Sequence, residues 1–277
     1  MPLTLDKVLG AYKQVIPFVK TNSVTTVAGL PSTLIDRAGF PVAGSLNPSS
    51  TTNGTVPTDA TAGFPLIEAP TGSNKLYISR VNIAASVAMS VELFDLLFYA
   101  GQTTIPTTGT TTVSLTSRPS FSSRVPFMVD GVTRNWQSVQ LFIYSAVAWS
   151  NHAHTCSLDY LDQGGAAGNT GNISTQNYAV NRMIRMPLAA GDTGVQELTG
   201  YNLNGVTSAA GAVVACAMRS LGKFRTQGGL STMYGPDYTG LPQVFGDSAI
   251  LAVVYTDSTS SGIPNLNIEI AHMDPDA

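Results

Sequence analysis

The apolar residues of this chain come in short blocks, and that spacing constrains the fold more than any other feature. From residue 75 onward the blocks are Leu76–Ile83, Val87–Tyr99, Ser138–Ala148, Thr155–Leu161, Leu198–Leu203, Ala212–Met218, Ala249–Tyr255 and Leu266–Ala271. Each is strand length, and Gly, Pro, Asn, Asp and Ser separate them. None approaches the ~20 apolar residues of a membrane helix. Ser138–Ala148 and Thr155–Leu161 read as a hairpin around Ser150-Asn151. Thr103–Thr116 is a Thr-rich excursion of high β-propensity. Gly191-Asp192-Thr193-Gly194 reads as a tight turn, and Gly164–Asn177 as a flexible linker. Blocks of this size, without interleaved helices, predict an all-β fold of antiparallel sandwiches, jelly-roll-like in style.

The series occurs twice. Ile78-Ser79-Arg80-Val81-Asn82-Ile83 resembles Leu198-Thr199-Gly200-Tyr201-Asn202-Leu203, and Val139–Tyr144 resembles Ile250–Tyr255. Each copy then closes on a further strand, Cys156–Tyr160 or Asn267–Ile270. The expectation is two related sandwich modules, at 75–163 and 181–277, joined by a linker at 164–180. A two-copy subunit suits a site of pseudo-symmetry, such as a homotrimer or another homo-oligomer.

Residues 1–74 read differently. Leu5, Val8, Leu9, Tyr12, Val15 and Ile16 fall at helical spacing, Thr4 can cap the start, and Pro17 marks an end, predicting a helix over 5–18. Beyond it, six prolines between Pro31 and Pro70 alternate with glycines, which favours an extended path. The expectation is an arm that docks on neighbouring molecules through Leu5, Leu9, Tyr12 and Phe18 of the helix and Leu34, Phe40, Phe64 and Ile67 beyond it.

Charge narrows the function. Charged residues are 11% of the chain, against about 25% in an ordinary soluble domain. The surface is therefore rich in Ser, Thr, Asn and Gly, side chains that cost little to desolvate against another subunit. The net charge of −3 lacks the clustered Lys and Arg that phosphate binding requires. The N-terminus has no basic segment before an apolar run, which predicts synthesis in the host cytoplasm rather than secretion. Cys156 and Cys216 are expected as buried free thiols.

Chemistry-bearing patterns are few. His152, His154 and Cys156 alternate along a strand and could meet at zinc, but they lack a fourth ligand; no metal and no cofactor are expected. Phe245-Gly246-Asp247-Ser248 resembles the nucleophile block of GDSL-type esterases. It runs into a strand rather than a helix, and His272 has no Asp three residues before it. The acidic pairs Asp159–Asp162 and Asp274–Asp276 are thin for calcium. Trp136 and Trp149 bracket the expected hairpin, as core aromatics or as a sugar platform. The chain is expected not to be an enzyme.

Three segments, Lys75–Val81, Met186–Val195 and Gly240–Asp247, give the chain a resemblance to virion structural proteins encoded beside capsid genes in tailed bacteriophages, over about residues 70 to 273. That resemblance implies a head decoration (cement) or minor capsid protein in the virion, partnered by itself and the major capsid protein. The long helices of a tailed-phage shell protein are missing. Double-jelly-roll shell proteins also pair two sandwiches, but each half here is short for eight strands. Two further readings remain: a tail or head–tail adaptor component, and a carbohydrate-binding host-attachment module.

Overall fold

A computed structural model describes residues 5–47, 53–128, 130–150, 154–175, 178–205, 211–256, 259 and 261–274. The all-β expectation holds, with antiparallel sheets following a short helix, α1 (Leu5–Gly10). In the first part of the chain come β1 (Tyr12–Lys20), β2 (Ser32–Thr33), β3 (Lys75–Ala85) and β4 (Met89–Tyr99). The middle holds β5 (Gly109–Ser114), β6 (Val139–Val147), β7 (His154–Asp162), β8 (Ile173–Thr175), β9 (Met183–Met186) and β10 (Val195–Gly205). Last come β11 (Ala212–Thr226), β12 (Ser231–Tyr234), β13 (Ile250–Tyr255) and β14 (Pro264–Met273). Shorter pieces, such as Gly39–Phe40 and Ala167–Asn169, pair at the margins.

Two compact units result. The first takes residues 1–45, 58–95 and 221–277; the second takes 46–57 and 96–220. The chain passes between them inside β4 and β11. Neither unit coincides with the expected modules at 75–163 and 181–277, nor is 1–74 set apart, because the long-range strand pairs cross those boundaries.

In the first unit one layer runs β12–β3–β14–β1. The other places β13 between β4 and β2. Ile16 and Phe18 of β1, Ile78, Val81 and Ile83 of β3, and Leu266, Ile268 and Ile270 of β14 meet Val91, Leu93, Ile250, Ala252 and Val254 in one buried cluster. Apolar side chains at alternate positions of facing strands define a sandwich core. In the second unit the layers are β8–β7–β10–β5 and β9–β6–β11. Leu158, Tyr160, Leu198 and Tyr201 pack there against Leu141, Ile143, Met186 and Ala215.

Two local expectations are corrected. Only Leu5–Gly10 of the expected 5–18 helix is helical; Tyr12–Lys20 is a strand. β-branched Val15, Ile16 and Val19 favour it, and eight of its residues pair with β14, from Tyr12 opposite His272 to Val19 opposite Asn265. β6 and β7 are not paired as the expected hairpin either, and Asn151 lies outside the described residues: β6 pairs with β9 and β11, whereas β7 pairs with β8 and β10. Residues 173–175 of the expected linker form β8 on the edge of β7.

Candidate assembly surface

Alternation along β1 decides which of its side chains are available. Ile16, Phe18 and Lys20 point into the first unit and are buried. Val15 and Val19 point outward, 59% and 45% exposed, across from Glu269 and Asn265 of β14. Phe40, 47% exposed, is the cross-strand partner of Val19 and lies on the same face. Gln14 donates from its side-chain amide to the Leu66 carbonyl (3.2 Å) and accepts from the Glu68 N–H (3.0 Å), which lays 66–68 beside the strand. Tyr12 donates its hydroxyl proton to Glu68 (2.9 Å), and that carboxylate raises the Tyr12 pKa. Leu66 and Val42 are exposed, as are Leu5 and Leu9, four residues apart on α1. The outer face thus carries Val15, Val19 and Phe40 beside the neutral Asn265 and Asn267 of β14, with Glu269, ion-paired to Lys13 and Arg80, across from Val15.

Beneath it, Lys20 is buried, yet its ammonium donates to the carbonyls of Pro41 (2.6 Å) and Arg37 (3.2 Å). Burial lowers its pKa to about 8, partly offset by nearby Asp36. These contacts tie β1 to the 37–41 loop that carries Phe40.

The expected docking residues divide. Leu5, Leu9, Tyr12 and Phe40 are exposed. Phe18, Leu34, Phe64 and Ile67 are 2%, 1%, 5% and 6% exposed. Phe18, Leu34 and Ile67 belong to the first unit's own core, so the described part of the segment from 21 to 71 is no free arm. Leu34, Ile35, Leu46, Phe64 and Ile67 of the segment turn inward, whereas Phe40, Val42, Val56 and Leu66 stay exposed. Val15, Val19, Val42 and Leu66 were missed. Strand alternation in 12–20 was the available signal for the first two.

The other candidates become structural. His152 lies outside the described residues. His154 is buried with its ring edge-on to Trp149, centroids 5.5 Å apart. Burial pushes the Cys156 thiol up to about 12, so it stays protonated. Among the described residues no three His, Cys, Asp or Glu side chains group as for a metal. Ser248 is buried, donates to Asp95 (2.7 Å) and accepts from the Phe245 N–H (2.9 Å), which closes a turn ahead of β13. Asp162 accepts from the Gly164 and Ala166 N–H groups and so caps its own turn. Asp274 accepts from Ser73, and Asp276 lies outside the described residues. Trp149 is buried, with its indole N–H on the Ala212 carbonyl (3.0 Å), whereas Trp136 is half-buried against the second core. No described helix is long and apolar enough to cross a membrane.

No family model matches this sequence. No curated protein matches it either. Solved structures similar to it include the VP2 subviral particle of infectious bursal disease virus, at 10% identity, 99% of this chain, 84% of that chain and a TM-score of 0.19. The Gt strain of the same virus aligns at 8% identity over 96% and 82% of the two chains, with a TM-score of 0.17. TM-scores of this size do not establish a shared fold.

Proposed function

We propose that the protein is a non-enzymatic virion structural component that packs against copies of itself and the major capsid protein to decorate or stabilise a phage head. The observation that carries this reading is the outward face of β1 and its flanks. Val15, Val19 and Phe40 are exposed together on one face of paired strands, next to neutral Asn265 and Asn267. Isolated exposed apolar residues are ordinary, but a grouped patch on a surface poor in charge marks a contact site. The contacts add over many copies, so each can be weak.

The test is the double substitution Val15→Asp/Val19→Asp. Both side chains face outward, so the sandwich folds. Size by light scattering and co-sedimentation with expanded heads are the readouts. Loss of either association, with the melting temperature held, is the expected result; wild-type size together with wild-type co-sedimentation would end the proposal. Electron microscopy of native particles separates a head location from a tail or adaptor one, since an adaptor forms one axial ring.

A further inference from the structure

We infer that the chain is two copies of one seven-stranded repeat, β1–β7 and β8–β14, that have exchanged strands, so each sandwich combines the first four strands of one copy with the last three of the other. The inference is independent of the proposed assembly role. Moving every strand seven places along the series reproduces the pairing. β1 pairs with β14, and β8 with β7. β3 pairs with β14 and β12, and β10 with β7 and β5. β13 pairs with β4 and β2, and β6 with β11 and β9. The pieces at 24–25, 39–40, 103–104, 167–169, 243–244 and 261–262 stand outside this rule.

The registers agree as well as the order. Asn82 of β3 faces Asn267, and Asn202 of β10 faces Ser157. Counting along from these pairs makes Ile268 equivalent to Leu158 and Glu269 to Asp159. That is the alignment given by the sequence similarity of Asn267–Ile270 to Ser157–Tyr160. Both ladders then slip at one equivalent step, between Glu269 and Ile270 and between Asp159 and Tyr160, passing over Ser79 and Thr199. A bulge is a local device that re-aims a strand and persists within a family. Its recurrence at matching positions is not required by a sandwich core and points to common descent. The unit boundaries follow: one unit holds 1–45, 58–95 and 221–277, the other 96–220 with 46–57. The edges of β3 and β4 are thus built to receive strands of a second copy of the repeat.

The test uses the full chain with a protease site inserted in the exposed Gly164-Gly165 turn. After cleavage the two pieces are expected to stay together in native sizing and to part in denaturant. Two cysteine pairs report the partners directly: Asn82→Cys/Asn267→Cys and Asn202→Cys/Ser157→Cys, each opposite in a ladder and within disulfide reach. After oxidation, each is expected to hold the cleaved pieces in one band on a denaturing gel until reduced. An Asn82→Cys/Ser157→Cys pair, both in the first piece, is expected to give no disulfide-linked peptide by mass. The inference is overturned if the pieces separate in native buffer, if neither bridging pair links them, or if the Asn82→Cys/Ser157→Cys pair forms a disulfide within the first piece instead. If insertion disturbs folding, mapping the disulfides by peptide mass in the uncleaved chain makes the same distinction.

Discussion

Phe18 distinguishes a folded-in first segment from a free arm. Its ring is 2% exposed and packs with Ile16, Leu266 and Ile268 inside the first unit. Phe18→Ala removes that ring from a site closed on both sides by β-layers. Such truncations cost about 3–5 kcal/mol, transfer and cavity terms together. A domain of ~5–15 kcal/mol total stability loses a large share. At ~2–4 °C per kcal/mol for a chain of this size, the melting temperature falls by about 6–20 °C. Thermal and urea unfolding followed by circular dichroism measures it, since Trp136 and Trp149 both lie in the second unit. Where the two units unfold in separate transitions, only the one containing β1 should move. Val15→Ala and Val19→Ala, on the opposite face of the same strand, should stay within about 0.5 kcal/mol of wild type. A Phe18→Ala protein with unchanged stability and lost particle binding would refute the reasoning and restore the docking arm.

Lys20 gives a pH signature. Its pKa is about 8 in the fold against an ordinary 10.5, so the unfolded chain binds the extra proton between those values. The penalty is present in full below pH 8, and stability rises as pH climbs from about 8 to 10. The rise is about 1–3 kcal/mol, discounted for the two carbonyls that solvate the ammonium, and Lys20→Met should flatten it in urea titrations at stepped pH. Burial raises the thiol pKa of Cys156 to about 12, and full burial raises that of Cys216 too. Ellman's reagent should therefore find no reactive thiol in native protein and two in denaturant. Trp149→Ala should destabilise the second unit by about 3–5 kcal/mol, and glycan-array binding that vanished with stability intact would contradict its place in the core. Removal of residues 1–70 takes β1 from β14 and Leu34 and Ile67 from the core, and should yield insoluble protein on expression rather than a soluble sandwich.

The blocks of apolar sequence located most strands within a few residues, because alternation and turn residues are local properties. Tyr12–Lys20 was misread for an equally physical reason. Tyr12, Val15 and Ile16 satisfy helical spacing, while Ile16, Phe18 and Lys20 satisfy strand spacing, and the deciding partner is β14, at the far end of the chain. Pro17 reads as a helix end in the sequence; as a strand residue it sits opposite Asn267 on the margin of the sheet, where a missing N–H is tolerated. The outer patch was half legible. Leu5, Leu9, Tyr12 and Phe40 could be singled out as apolar, but composition cannot say whether an apolar residue such as Phe64 or Phe40 turns in or out. Asn82 and Asn202 suggest a repeat in the sequence, but nothing local in it suggests the crosswise assembly that we infer. Pairing β3 with β7 of its own copy, or with β14 of the other, buries the same alternating side chains at nearly the same register. Side-chain patterning alone does not choose between those two closures. The choice rests on β4 and β11, whose lengths carry the chain from one unit into the other and so deliver each leading strand to the other copy's trailing ones.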